Sequence, residues 1–337
     1  MAYKLGDVLI SREEISKRVK EIAAQIVNDT GRDNSVILVG ILTGAAIFLT
    51  DLVREMPEEM DVRFDFMSVA SYGDNTTSSG VVRIFHDLKN SIEGKNVIAE
   101  SPICLTKKEC TELYKLASKN KLILLDAIKT AYSTAFNRLI LLVKSGSIGD
   151  IVSVDAICTS LREIQENNIN NFLKKQNSIC AWGPTALLPI FTLLGTKYTK
   201  KHISSLLIKD NFDLFTKIDF NYKNAVASIK IGKGAKSESE LIITGTKGYM
   251  YIPSPWWKTD YFEIRCEDKN SVKKYFYELD GEGIRYELVT FVKSIEDHKN
   301  KSYIDEETSK QICQIMDDFN KKRDFDKIMI REDKYKL

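Results

Sequence analysis

A change in the order of predicted elements near residue 130 constrains the fold of this chain more than any other feature. Before it, short apolar runs such as Val36 to Ile41 and Val97 to Ala99 alternate with amphipathic helices, for example over residues 12–29. Repeated strands and helices are typical of a parallel, doubly wound α/β layer, because each connecting helix covers the sheet. We therefore predict such a layer over about the first 125 residues.

The pattern after residue 150 is different. Longer apolar segments are separated by turns such as Gly245-Thr246-Lys247-Gly248, and tight turns join antiparallel strands. Two helices, predicted over residues 284–294 and 306–320, close the chain. The predicted fold class is thus α/β followed by α+β, with a hybrid parallel α/β layer and then a mostly antiparallel open sheet with helices on one face.

Length and charge limit the classes of function. A chain of 337 residues exceeds what one core usually encloses, so we expect more than one domain. Lysine plus arginine (49) nearly balances aspartate plus glutamate (47), so no global field favours a nucleic-acid or membrane partner. No targeting segment opens the sequence, and no run approaches the ~18 apolar residues that span a bilayer. We expect a soluble, cytoplasmic protein.

Metal-ligating residues are few and scattered. The six cysteines form no Cys-x-x-Cys pair, and each of the three histidines stands alone in sequence. Structural zinc sites need such ligands at close spacing. The sequence therefore predicts no metal site and six reduced, structural thiols.

The loop Gly40-Ile41-Leu42-Thr43-Gly44 lies between a predicted buried strand and a predicted helix. This arrangement places backbone N–H groups at the positive end of a helix, which suits a phosphate, although it is also a common packing device. Together with the Ser71-Tyr72-Gly73 and Val81-Val82-Arg83-Ile84 segments, it resembles the front half of a bacterial hypoxanthine-guanine phosphoribosyltransferase. The resemblance ends near residue 98. It implies a pyrophosphate loop at Leu42, Thr43 and Gly44 and a mobile loop at Ser71, Tyr72 and Gly73.

The rest of that transferase pocket is altered. In the matching register, the family's acidic pair is replaced by Ser101 and Pro102, its catalytic base by Leu105, and a loop glycine by Lys107. Leucine cannot take a proton, and lysine has a side chain where close backbone approach needs glycine. The resemblance therefore implies no phosphoribosyl transfer and no need for magnesium or phosphoribosyl pyrophosphate, which that family uses.

A second resemblance covers residues from about 94 to the end. Glu100-Ser101-Pro102, Ala135-Phe136-Asn137-Arg138 and Ser147-Ile148-Gly149-Asp150-Ile151 are similar to segments of Gfo/Idh/MocA-family oxidoreductases. That family binds NAD(P) through a Gly-x-Gly-x-x-Gly turn between its first strand and helix. Residues 1–60 contain no such turn, so no dinucleotide cofactor is expected.

The oxidoreductase resemblance also implies three proton-handling positions. A lysine is replaced by Ser101, an aspartate by Ala181 and a histidine by Thr185, and none of the three replacements titrates near neutral pH. No catalytic group is intact, and Ser101, Leu105, Ala181 and Thr185 are degenerate positions. The resemblance still predicts a cleft that includes Glu100, Pro102, Trp182 and Arg285. Arg285 would contact an anion there, or form a salt bridge on the helix surface.

The predicted domains follow from these resemblances. They are a phosphoribosyltransferase-like half (residues 1–98), the end of a Rossmann-like domain (residues 99–130) and a substrate and dimerisation domain (residues 131–337). Three interpretations stay open. The chain is an inactive oxidoreductase-family protein, a truncated transferase with weak pyrophosphate or nucleotide affinity, or a recombined or engineered fusion.

A homodimer is the partner predicted for the C-terminal sheet, because an apolar sheet face left uncovered by helices marks an interface. The row chosen for this face alternates along one strand and consists of Ala225, Ala227, Ile229 and Ile231. The alternative is that this row packs beneath the helices.

Overall fold

The computed structural model describes residues 10–31, 34–41, 46–71, 82–86, 93–161, 177–208, 212–268, 271–279 and 283–329. Two compact units divide the chain, Met1–Glu93 and Gly94–Leu337. Within the described residues, none of the helices combines the length and the apolar composition needed to cross a bilayer.

The first unit begins with helix α1, Arg12–Thr30. Its start is fixed by a capping box, in which the Glu14 backbone N–H donates to the Ser11 hydroxyl and the Ser11 N–H donates to the Glu14 carboxylate. One face of α1 buries Val19, Ala23 and Val27 at four-residue spacing. The helix predicted over residues 12–29 is thus present.

The sheet of the first unit has three described strands. Strand β1 (Val36–Ile41) pairs in parallel with β2 (Val62–Ser71), which pairs antiparallel with β3 (Val82–His86). Helix α2 (Ala46–Arg54) connects β1 to β2, as expected for a βαβ crossover. The described core is small, and its buried side chains are Val19, Ala23, Val27, Leu52, Met56 and Met60.

The second unit opens with another parallel pair. Strand β4 (Val97–Glu100) and strand β5 (Leu124–Ala127) are joined by helix α3 (Lys107–Lys119). A short 3-10 helix (Lys129–Tyr132) and helix α4 (Thr134–Lys144) follow. The described strands of the predicted parallel layer thus fall into two sheets, β1-β2-β3 and β4-β5.

A ten-stranded mixed sheet forms the body of the second unit. Most neighbouring strands are antiparallel, and the parallel pairs described are β6 with β9 and β7 with β15. The predicted fold class is confirmed, with a parallel α/β portion followed by this large sheet and its helices. The strands are β6 (Ile151–Leu161), β7 (Lys200–Ile208), β8 (Phe212–Asn221), β9 (Val226–Gly232), β10 (Gly234–Ala235), β11 (Leu241–Gly245), β12 (Tyr249–Ile252), β13 (Tyr261–Arg265), β14 (Lys273–Phe276) and β15 (Phe325–Met329).

Three further helices belong to this unit, α5 (Ser178–Leu194), α6 (Ile284–Glu296) and α7 (Glu306–Asn320). Helix α5 is anchored at its first turn by Asp213 of β8, whose carboxylate accepts the backbone N–H groups of Ser178 at 2.6 Å and Ile179 at 3.0 Å. A carboxylate at a helix N-terminus satisfies donors that have no partner within the helix. This contact holds α5 against the sheet.

The structure corrects one prediction about the sheet faces. Ala227, Ile229 and Ile231 of β9 are 3% exposed or less and pack in one core cluster with residues of α5. They therefore lie on the covered face of the sheet and do not form an exposed row. Successive side chains of a strand point to opposite faces of the sheet. The apolar residues of β9 therefore share the face covered by α5, and the intervening Ser228 and Lys230 occupy the other face.

Candidate functional site

Three carboxylates and one amine converge at the carboxyl ends of β4 and β5. Glu100 is the last residue of β4, Asp126 lies in β5, and Glu287 belongs to the first turns of α6. Lys129, in the short 3-10 helix after β5, influences the pKa of both Glu100 and Glu287. We call these four residues the carboxylate cluster.

Local backbone geometry brings the two halves of this cluster together. The parallel register pairs Glu100 with Ala127 and Ala99 with Asp126, so both acidic residues reach the same edge. On the other side, Gly283 has a φ of 92° and precedes α6. A Cβ at this position would lie 3.3 Å from the Lys129 carbonyl oxygen. Glycine therefore allows α6 to begin close to the 3-10 helix, with Glu287 one turn further on.

Burial dominates the electrostatics of Asp126. Asp126 is 1% exposed, and desolvation raises the pKa of its carboxyl group from 3.8 to about 6. The Ser309 hydroxyl donates to Asp126 Oδ2 at 2.7 Å and lowers the pKa in part, as does the nearby Ser101. Glu100 raises it further. Asp126 therefore changes charge near neutral pH.

Glu287 behaves in the same way. It is 6% exposed, and desolvation together with the neighbouring Glu100 and Asp126 raises its pKa to about 7, against the attraction of Lys129. Desolvation also raises the pKa of Glu100, although this residue remains partly open to solvent. The cluster thus holds its protons into the neutral range.

Three buried oxygens in this region have no hydrogen-bond partner, namely Ser101 Oγ, Asp126 Oδ1 and Glu287 Oε2. Burying an ionised carboxylate oxygen without a hydrogen-bond donor costs free energy, so the two carboxyl groups, Asp126 and Glu287, favour the protonated form. No group of three His, Cys, Asp or Glu side chains in the described part of the chain is arranged to hold a metal ion. The raised pKa values of Asp126 and Glu287 and their oxygens without a donor mark the cluster as a proton-holding site.

The predicted residues that follow β4 have different surroundings. Glu100 belongs to the cluster, and Ser101 and the half-buried Pro102 come directly after it. Leu105 packs against the main hydrophobic core of the second unit. Arg285 is exposed on the first turn of α6, two residues before Glu287.

The remaining predicted positions lie on α5. Ala181 is exposed and Thr185 half-buried, one turn apart. The Trp182 ring lies 4.7 Å from the Trp257 ring, and the Trp257 carbonyl accepts a hydrogen bond from the Thr130 hydroxyl at 3.0 Å. Thr130 follows Lys129 in sequence. The contacts through Trp182, Trp257 and Thr130 therefore link α5 to the segment that carries Lys129 of the carboxylate cluster.

Sequence reasoning missed Asp126, Lys129 and Glu287. A signal was available for Asp126, since it follows the apolar residues Leu124 and Leu125 at the end of a predicted parallel strand. Acidic residues at the carboxyl ends of such strands are placed at the usual ligand edge of an α/β layer. Glu287 gave no comparable signal, because a glutamate in a predicted helix is ordinarily solvent-exposed.

Most site residues predicted for the first unit lie outside the described residues. These are Leu42, Thr43 and Gly44 of the pyrophosphate-loop-like segment and Tyr72 and Gly73 of the mobile-loop-like segment. Ser71 is the last residue of β2, and its backbone pairs with Val82.

Comparison with protein families finds a match to the phosphoribosyl transferase domain over residues 10–99. The hypoxanthine-guanine phosphoribosyltransferase of Dictyostelium discoideum is 42% identical over 120 residues, which cover 34% of this chain and 67% of the relative. The Bacillus subtilis enzyme is 37% identical over 118 residues, covering 34% and 64%. For the Mycobacterium tuberculosis enzyme, the values are 44% over 101 residues, covering 28% and 48%. The chain thus spans between about half and two thirds of these relatives.

Comparison with solved structures finds a different set of similar proteins. A 3-ketoreductase from Actinomadura kijaniata, solved with NADP and TDP-benzene, matches with a TM-score of 0.60 and 13% identity, covering 71% of this chain and 73% of that one. An oxidoreductase from Bacillus cereus matches with a TM-score of 0.54 and 16% identity, covering 67% and 71%. Both resemblances predicted from the sequence are confirmed, the second at the level of the fold.

Proposed function

Because the chain belongs, through residues 10–99, to the phosphoribosyl transferase domain family and carries an oxidoreductase fold beyond them, we propose that it is a fused protein that catalyses neither parent reaction. The observation that carries this proposal is the environment of Ser101. The Ser101 hydroxyl, which lowers the pKa of the neighbouring Asp126, stands where the oxidoreductase resemblance implies a lysine. Ala181 and Thr185 likewise supply no titratable group.

The residues present do not fit a nicotinamide dinucleotide. A dinucleotide pyrophosphate is usually held by a glycine-rich turn at a helix N-terminus after the first strand of the layer. In the second unit, the described strands of the parallel α/β layer are β4 and β5, and Ser101-Pro102-Ile103 follows β4 instead of a glycine-rich turn.

The surroundings of the replaced transferase positions support the second half of the proposal. Leu105, in the register of that base, packs against the core, and Lys107, in the register of the loop glycine, is the first residue of α3. The Lys107 ammonium is 3.4 Å from Gln311 Oε1 and 3.9 Å from Glu307 Oε1 of α7. These residues serve the packing of α3 against α7 and do not fit phosphoribosyl pyrophosphate or its magnesium ion.

A variant that restores the oxidoreductase side chains tests the first half of the proposal. We expect Ser101→Lys, Ala181→Asp and Thr185→His together to create no dehydrogenase activity, because acid and base groups contribute only ~10²- to 10⁴-fold each and act on a cofactor that must first be bound. Absorbance of the reduced nicotinamide is the readout, with calorimetric titration of NAD and NADP as the second measurement. Cofactor reduction, or a dissociation constant below ~100 μM, would contradict the proposal.

The second half is tested with hypoxanthine or guanine and phosphoribosyl pyrophosphate. We expect no nucleotide above the uncatalysed background. Binding of pyrophosphate alone is compatible with the proposal, since the segment at Leu42, Thr43 and Gly44 matches a pyrophosphate loop. Nucleotide formation that disappears in a Thr43→Ala, Gly44→Ala variant would show that the transferase half is active after all.

A homodimer and a cytoplasmic location also belong to this proposal. The face of the large sheet opposite α5 carries Ile242, Tyr251 and Arg265, and the Arg265 guanidinium lies 4.3 Å from the centre of the Tyr251 ring. Tyrosine and arginine are enriched where protein surfaces associate. This face, and not the row on β9, supports association with a second copy.

A further inference from the structure

A cavity of about 420 Å³ is lined by residues of α4 and α6. Its walls include Arg138 of α4, Tyr286 and Lys293 of α6, and Tyr303 beyond that helix. The volume falls within the range of ~300–1,000 Å³ typical of small-molecule sites. None of the residues that replace catalytic groups of either parent lines this cavity.

The charges on the walls are all positive. Arg138, Lys293 and Lys301 line the cavity, and no aspartate or glutamate is among the lining residues. Lys301 forms a salt bridge with Asp297. Among the described residues, no carboxylate forms a salt bridge with Arg138 or Lys293. Two cations that face one cavity from different helices repel each other, and an anion between them would relieve that repulsion.

Four tyrosines also line the cavity, and most of them already have partners. The Tyr132 hydroxyl donates to the Asp126 carbonyl oxygen at 3.0 Å, and the Tyr286 hydroxyl donates to the Glu278 carbonyl oxygen at 3.2 Å. Tyr303 differs, because it is 58% exposed and contacts Tyr132 only through a ring edge, with centroids 5.8 Å apart. Its open ring face offers a stacking surface to a ligand.

We propose that this cavity binds a small phosphate ester that carries a planar ring. Arg138 and Lys293 contact the phosphate, whose double negative charge matches the excess of positive charge on the walls, because the one nearby carboxylate, Asp297, is shared by Lys293 and Lys301. The Tyr303 ring stacks on the ring of the ligand. The lining residues include none of the four carboxylate-cluster residues and none of the degenerate positions.

Phenyl phosphate is the probe for this site, measured by calorimetric titration with the full chain at low ionic strength. We expect a dissociation constant below ~1 mM for phenyl phosphate. Inorganic phosphate lacks the ring and phenol lacks the phosphate, so each should bind more weakly. The double variant Arg138→Gln, Lys293→Gln should weaken binding at least tenfold. Its matched control is Lys144→Gln, Lys299→Gln, which removes the same charge from exposed positions at the end of α4 and after α6.

A cavity-filling variant keeps the test decisive if the double variant does not fold. Val289→Trp fills the cavity from a position that is 39% exposed, keeps every charge, and should abolish phenyl phosphate binding. Equal losses in the Lys144 and Lys299 control would show that only the general field of the protein attracts the anion. Undiminished binding in Val289→Trp, or in the folded double variant, would place the phosphate elsewhere. Either result would overturn the proposal.

Discussion

The two units of this chain resemble known proteins in opposite ways. A transferase matches the first unit and the start of the second with 42% identity over 120 residues, but the described core cluster of the first unit contains six buried side chains. The second shares only 13% with a solved oxidoreductase, yet one continuous cluster joins its helices to a ten-stranded sheet. Sequence identity thus indicates common descent, whereas the buried apolar surface indicates how strongly each unit is stabilised.

This difference has a physical basis. The phosphoribosyl transferase domain match covers residues 10–99, and the aligned relatives are covered to about half to two thirds of their length, so part of the relatives' packing has no counterpart in these matches. The fraction of surface that a fold buries rises with its size. The larger second unit can therefore keep its fold while almost all of its sequence changes.

The largest expected effect is in the core of the second unit. Leu139 of α4 is 0% exposed, and we expect Leu139→Ala to lower the free energy of unfolding by about 3–5 kcal/mol, because it leaves a cavity in well-packed surroundings. Denaturant unfolding followed by tryptophan fluorescence measures it, since all three tryptophans lie in this unit. The control is Leu141→Ala in the same helix, 60% exposed, with an expected change within ~0.5 kcal/mol. Equal effects of the two variants would show that this core is loosely packed.

The second largest expected effect is a pH-dependent change of about 3 kcal/mol in the free energy of unfolding, and it comes from Asp126. Its pKa is raised from 3.8 to about 6 on folding, so the folded protein binds more protons between these values. The stability linked to this group is present below pH 4 and is lost as the pH rises through about 6. We expect Asp126→Asn to flatten the fall in stability between pH 4 and pH 7, which unfolding curves at several pH values will measure. The exposed Asp150→Asn should leave that fall unchanged. An unaltered pH profile in Asp126→Asn would mean that Asp126 is ionised throughout.

A smaller effect is expected in the first unit. Leu52 of α2 is 5% exposed, and Leu52→Ala should cost about 2 kcal/mol, at the low end for this substitution, because its small cluster can collapse around the removed atoms. The control in the same helix is Ile47→Ala, which is 78% exposed. Hydrogen exchange of α1 and α2 amides measures the change locally. A loss as large as that of Leu139→Ala would show that the two cores are equally well packed.

The smallest expected change is in association, with the fold left intact. Light scattering should report a dimer of chains of 38.4 kDa, and Tyr251→Glu on the open sheet face should yield a monomer. The control Tyr303→Glu changes a tyrosine that is 58% exposed between α6 and α7, outside that face, and should leave the dimer intact. A wild-type monomer would exclude the dimer, and a dimeric Tyr251→Glu would exclude this face.

Much of the fold follows from periodicity, and the exceptions have identifiable causes. Helices α1 and α7 match their predicted ranges closely because their apolar residues recur at helical spacing and their caps, Ser11 and Asp305, are recognisable. Helix α5 was not predicted from the pattern, since it is apolar on most sides and contains Pro184 and Pro189. Strand β15 was missed because four of its five residues are exposed, and a strand with one buried residue has no alternation.

The candidate site was harder to predict than the fold. The resemblances led to Ser101, Ala181 and Thr185, which are positions where the catalytic side chains of the oxidoreductase family are replaced. Of the predicted cleft residues, Glu100 belongs to the carboxylate cluster. Asp126 and Glu287 are separated by about 160 residues, and their proximity depends on a glycine with a left-handed backbone at position 283. Spacing in sequence cannot reveal a contact that depends on tertiary structure.

The two outermost strands of the large sheet determine how the protein can meet copies of itself. Unpaired backbone groups along an edge are a template on which another chain can add a strand and begin to aggregate. Here both edges carry charge, Lys273 and Lys274 on β14 and Asp326 and Lys327 on β15. Burying such charges in a continuous intermolecular sheet would be costly, so growth into fibres from these edges is discouraged. The sheet can then offer its broad surface to a partner without the risk of open-ended polymerisation.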